Sequence, residues 1–215
     1  MSVNREIVVK GIGKASVIPD MIILEMKLET INLQYDVTMK HAEELADTLR
    51  KAIISAGHNG KDLKTTDFNI KTKYENFKVN DLWKEKFIGY YCSHSLKLEF
   101  DLDMQKLECT INSIAKSNAK PRLSINFSIK DSTSVSELLL QNAIENAKSK
   151  AEILTKSAGV KLGEVKRIDY NWGELHMYSK TNYDLDEDAV LCQAIQIEPE
   201  NINVNDTVTV VWEIN

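Results

Sequence analysis

The stretch from Met21 to Glu29 reads MIILEMKLE, and its alternation narrows the fold more than any other part of the chain. Ile22, Leu24, Met26 and Leu28 fall on one side of a pleat, and Ile23, Glu25, Lys27 and Glu29 on the other. A strand of this kind is half-buried and needs a second layer over its apolar side. It closes a longer organising segment that begins with an apolar run at Ile7, Val8 and Val9. That segment continues through glycines at Gly11 and Gly13, read as a tight hairpin turn, and breaks at Pro19-Asp20.

Beyond Glu29 the period changes from two to between three and four. Val37, Ala42, Leu45, Leu49, Ala52, Ile53 and Ala56 form one apolar stripe, and Gly57 is placed to stop that helix in the left-handed region. Alternation returns at Phe68, Ile70, Thr72 and Tyr74, and again at Cys92, His94, Leu96, Leu98 and Phe100. Residues 76–87 between them are charged with interspersed aromatics and read as the long connection of a projecting antiparallel hairpin. A second helix follows through Met104, Leu107, Ile111 and Ile114, then a strand through Leu123, Ile125, Phe127 and Ile129.

The longest helix opens on a capping box, Ser134 with Glu137, and runs through Leu139, Ala143, Ala147 and Ala151 to Gly159. A strand over 164–172, an irregular acidic insertion over 173–192, a strand through Ala194, Ile195 and Ile197, and a last one through Val208, Val210 and Trp212 complete the chain. The expected class is α+β: a mainly antiparallel or mixed sheet covered on one side by about three helices, as a single domain over 1–215. The units 37–74 and 104–130 share Phe68-Asn-Ile-Lys71 and Phe127-Ser-Ile-Lys130. That similarity is open to two readings, an internal duplication or two copies of a common unit.

A net charge of −5 and the lack of a long Lys/Arg cluster argue against nucleic-acid binding. No stretch approaches the ~20 apolar residues of a membrane helix. The strand signal begins so close to Met1 that a secretory leader has no room, so the expected location is the cytoplasm; a leader trimmed from the chain would shift it to the envelope or periplasm. Cys92, Cys109 and Cys192 stand far apart without CxxC spacing, which suggests free thiols rather than a zinc knuckle or a disulfide framework.

Several stretches resemble the SIMPL-domain family, which includes bacterial periplasmic and outer-membrane-associated immunogenic proteins. The most specific are G-x-G-x-x-x-V-x-P-D, matched by Gly11, Gly13, Val17, Pro19 and Asp20, and A-K-x-K-A-E-x-L, matched by Ala147, Lys148, Lys150, Ala151, Glu152 and Leu154. The resemblance covers nearly the whole chain except about 173–192. It implies an α+β fold and, by analogy, self-assembly through the strands and the ribbon; it implies no established enzymatic activity. Bacterial relatives usually carry a secretion leader, and none is expected at the start of this sequence.

No catalytic, cofactor-binding or metal-binding constellation emerges. Gly11-x-Gly13 lacks the third glycine and the following helix of a dinucleotide loop. Asp184, Asp186 and Asp188 have the spacing of the first calcium ligands, but Ala189 and Ile195 stand where an EF-hand needs glycine and glutamate; a solvated acidic loop is the expectation. His41 and Glu44 lie one turn apart with no second histidine nearby. His94 falls on the apolar side of its strand and is expected to be a partly buried, satisfied histidine, with a thiol–imidazole pair as the sharper reading. Tyr74, Phe77, Trp83, Phe87, Tyr90 and Tyr91 are the features most suited to a surface contact, with packing that caps the open end of their own core as the other reading. The expected function is a non-enzymatic protein that self-assembles or binds a protein partner through the aromatic connection. The alternative is a small-ligand protein or enzyme with a cleft near His94 and the 173–190 loop.

Overall fold

Strand β1 (Glu6–Val17) runs without interruption through both Gly11 and Gly13, so the hairpin turn expected there does not form. The glycines serve a different end. A Cβ on Gly11 would lie 2.0 Å from the Ala143 carbonyl oxygen, and one on Gly13 would lie 1.9 Å from the Leu139 carbonyl oxygen. The backbone of helix α3 (Ser132–Ala158) therefore rests directly on the strand, and only the absence of a side chain lets it. The structure is a computed structural model describing residues 5–79, 82–171, 173, 175–185 and 198–215.

The chain divides into two compact units. The first comprises residues 1–19, 128–180 and 200–215, and the second residues 20–127 and 181–199. In the first unit, β1 pairs antiparallel with β8 (Ile202–Ile214), which pairs antiparallel with β6 (Leu162–Tyr170). One face of this sheet joins Val9, Val208, Val210 and Trp212 to Ala143, Ala147 and Ala151 of α3. Small residues on the helix and glycines on the strand are two halves of one close packing. Along the free edge of β1, α3 also supplies polar side chains four residues apart. The Ile12 amide donates to Asn146 Oδ1 at 3.0 Å, Asn142 Nδ2 donates to the Lys14 carbonyl at 3.2 Å, and Lys150 Nζ donates to the Lys10 carbonyl at 3.1 Å. An edge strand exposes unpaired backbone groups that invite another strand, and this ladder occupies them. The expected capping box is corrected: Asp131 is the N-cap, accepting from the Ser134 amide at 3.0 Å, and Ser134 Oγ donates to Asp131 Oδ2.

In the second unit, β2 (Met21–Asn32), β3 (Lys64–Val79), β4 (Leu82–Asp101) and β5 (Arg122–Ser128) lie in the order β3-β4-β2-β5, and β7 (Tyr178–Leu185) continues that sheet beyond β5. Helices α1 (Tyr35–Ser55) and α2 (Met104–Lys116) belong to the same unit. The alternation in β2 holds: Ile22, Leu24, Met26 and Leu28 are all buried, joined by Leu49, Ile53, Leu107, Leu98 and Phe127 in one core. Gly57 follows the α1 cap with φ +89°, as its position predicts.

The α+β class is as expected, but the strands form two sheets rather than one, because the close packing of α3 gives β1, β6 and β8 a core of their own. Residues 178–185 form strand β7 within the span read as irregular. The strand expected at Ala194, Ile195 and Ile197 lies outside the described residues. Among the described residues no helix is long and apolar enough to cross a membrane.

Candidate interaction surface

Residues 76–87, expected as a connection, are mostly strand: β3 and β4 stay paired out to Val79 and Leu82. The pairing shifts between Thr65 and Asp67 and again between Lys73↔Gly89 and Tyr74↔Phe87, and at the second shift Ile88 is an extra residue in β4. This bulge changes which way the aromatics face. Tyr90 pairs with Thr72 on the face that carries His94 and Leu96. In an unbroken strand Phe87 would lie opposite to it. After the bulge Phe87 shares that face, and its ring meets Tyr90 at 5.5 Å and Tyr74 at 5.6 Å, both edge-on; Tyr90 in turn meets Tyr35 at 5.5 Å.

The bulge therefore sorts the aromatic group. Tyr74, Trp83, Phe87 and Tyr90 stand on the face that carries Phe68 and His94, while Phe77 and Tyr91 stand on the other. Helix α1 packs on β2 and β4, and β3, at the edge of the sheet, extends beyond its cover. Phe68 is 46% exposed, Tyr74 54% and Trp83 73%. Phe68 and Tyr74 on the edge strand, with Phe87 and Tyr90 beside them, leave an aromatic strip with its backbone edge alongside, and Trp83 on β4 stands past Asn76 and Glu85 on the same face.

Between α1 and this strip runs an open groove of about 640 Å³, with Tyr35, Met39, Ala42, Ala46, Phe68 and His94 along it. Asp36, Glu43 and Asp47 of α1 border it, together with Lys40 and Arg50. His94 Nε2 shares a hydrogen bond with Thr65 Oγ1 at 2.9 Å, and its ring lies edge-on to Phe68 at 5.1 Å. Its Nδ1 is the one buried side-chain nitrogen or oxygen without a hydrogen-bond partner among the described residues, so the expectation of a satisfied histidine is corrected by half. Burial, reinforced by the charge of Arg50, holds the imidazole below its usual value.

Cys92, two residues away on the same face, is buried, and burial pushes its thiol up. A raised thiol beside a lowered imidazole favours two neutral groups, the opposite of the thiolate–imidazolium pair that nucleophilic chemistry needs. Cys109 is exposed on α2, and Cys192 lies outside the described residues. No described residue of 173–190 lines the groove; Leu175 and Met177 instead pack around Ile129 and Leu139 in the first unit. His41 and Glu44 are exposed on α1. Asp186 and Asp188 lie outside the described residues, as does the side chain of Asp184. Among the described residues no group of three His, Cys, Asp or Glu side chains is placed to hold a metal ion.

Sequence reasoning missed His58. It is buried after α1, with Nε2 at 2.7 Å from Thr110 Oγ1 and its ring edge-on to Phe100. Burial, then the charge of Lys106, lowers its affinity for a proton. For His58 and His94 together the unfolded chain takes up protons first, so stability falls as pH drops below the ordinary value of 6.5. It is independent of these two groups well above that pH. Denaturant midpoints at pH 7.5 and 5.5 are expected to show this fall, and His58→Gln to flatten it.

A family model for SIMPL, described as a protein of unknown function (DUF541), matches residues 7–212. No curated protein matches the chain. The two most specific family words, the glycines of β1 and the Ala147/Lys150/Ala151 word of α3, face one another in the first unit. Their role there is to pack and to cover an edge.

Proposed function

We propose, from the premise that this chain belongs to the SIMPL (DUF541) family, that it is a non-enzymatic module that binds protein, a second copy of itself foremost, through β3. The observation that carries this reading is the contrast between two edge strands. The free edge of β1 is occupied by Asn142, Asn146 and Lys150, whereas β3 ends its sheet with Phe68, Tyr74 and Trp83 exposed beside it. Strand addition at such an edge supplies main-chain hydrogen bonds, and alternate side chains on the aromatic face supply selectivity. The neutral Cys92 and His94 speak for binding rather than chemistry.

Size-exclusion chromatography with light scattering tests the proposal. The expected result is an assembly that dissociates at least tenfold more readily in Tyr74→Lys/Trp83→Lys, with an unchanged melting temperature because both side chains are exposed. A wild-type chain that stays monomeric at high concentration and captures no partner sinks it. The unpartnered Nδ1 of His94 favours a second reading, a small-ligand site in the groove. A fragment screen in which no compound moves the His94 imidazole resonances eliminates that one.

A further inference from the structure

The opposite face of the five-stranded sheet carries a group of charges that no single stretch of sequence contains. Glu29 on β2 is its centre. Lys27 Nζ lies 2.7 Å from Glu29 Oε1, the Tyr91 hydroxyl on β4 donates to the same oxygen, and Arg122 on β5 reaches Oε2 at 3.6 Å. From β3, Lys71 and Lys73 both bring their ammonium groups over the Tyr91 ring, at 5.7 and 5.1 Å from its centre. These contacts hold the Glu29 carboxyl below its usual range, chiefly through the Lys27 and Tyr91 hydrogen bonds. Four cations thus gather about the Glu29–Tyr91 pair, two at the carboxylate and two over the ring, on a protein whose net charge is −5.

We infer that this is a binding site for a ligand carrying two or more linked phosphate groups. Lys71 and Lys73 are exposed, and the Arg122 and Lys27 side chains are 58% and 43% exposed, so the positive groups are open to solvent. Glu29 accepts from Lys27 and Tyr91 and forms an ion pair with Arg122, which fixes the middle of the patch and leaves Lys71 and Lys73 without a carboxylate partner among the described residues. The cations span the adjacent strands β3, β4, β2 and β5. With strands about 4.8 Å apart, they extend over roughly 14 Å, too wide for a single phosphate and suited to a short chain of them. Ammonium groups act on phosphate as point charges, and the guanidinium adds directed donors.

Isothermal titration with sodium tripolyphosphate at low salt tests the site, with inorganic phosphate and hexaglutamate as the comparison ligands. The wild-type chain is expected to bind tripolyphosphate at least tenfold more tightly than either comparison ligand, with affinity falling as salt rises. Lys71→Gln/Lys73→Gln is expected to weaken tripolyphosphate binding tenfold or more while keeping the wild-type melting temperature. Lys148→Gln/Lys156→Gln on α3 is expected to leave it unchanged. Three results overturn the inference: no binding at millimolar tripolyphosphate, equal affinity for hexaglutamate, or an unchanged affinity in the β3 double variant.

Discussion

Gly13→Ala is expected to lower the melting temperature by on the order of 10 °C. The new Cβ would lie 1.9 Å from the Leu139 carbonyl oxygen and 2.8 Å from its carbon. Neither neighbour is a flexible side chain, so relief requires α3 to withdraw from the sheet by more than an ångström. Withdrawal loosens Ala143, Ala147 and Ala151 from Val9, Val208 and Val210, and it breaks the side-chain ladder along β1. Overpacking alone costs about 1–3 kcal/mol. With the lost contacts added, a total of about 4 kcal/mol follows, and each kcal/mol is worth roughly 2–4 °C in a protein of this size. Gly11→Ala meets the Ala143 carbonyl at 2.0 Å and is expected to match it. Gly173→Ala, whose Cβ would meet nothing within 4 Å, is the control. Calorimetry that finds Gly13→Ala within 2 °C of wild type contradicts the close packing.

Gly89→Ala carries the second large effect. Gly89 has φ +140°, in the region that favours glycine, and a Cβ there would come within 2.5 Å of the Asn32 carbonyl oxygen. Strain of about 1–3 kcal/mol for the backbone conformation adds to a clash with main chain, for a loss of about 3 kcal/mol. The functional consequence is larger than the energetic one. Relaxing the bulge turns Phe87 away from Tyr74 and Tyr90, so the aromatic strip loses its continuity. Gly89→Ala is expected to abolish assembly at temperatures where the chain remains folded. Near-ultraviolet circular dichroism follows the rings, and light scattering follows the assembly. Retained assembly with altered ring signals separates the strip from the proposed function.

The alternation in β2 and the stripes of α1 and α2 were legible because burial repeats with the period of the element that carries it. The order of elements from β2 to β6 was legible for the same reason, whereas β7 lay in the span read as irregular. The bulge was not: Phe87, Tyr90 and Tyr91 are nearly adjacent in sequence, and only the β3–β4 register shows that a single inserted residue puts Phe87 with Tyr90 and against Tyr91. Gly11 and Gly13 looked like a turn because glycine favours turns, and their need for space appears only once α3 is laid across them. The Glu29 cluster draws on four strands, so each of its members read as one more solvated charge. His58 follows a helix in a loop, where no periodicity marks burial.

The pairing of Glu6 with Glu213 and of Val17 with Ile202 has a consequence for biosynthesis. β1 leaves the ribosome roughly 200 residues ahead of the strand that completes it. At about 5–20 residues per second its partner follows on the order of 10–40 s later. During that wait the nascent chain carries an unmatched apolar strand, and α3 is the first element to emerge that can shelter it.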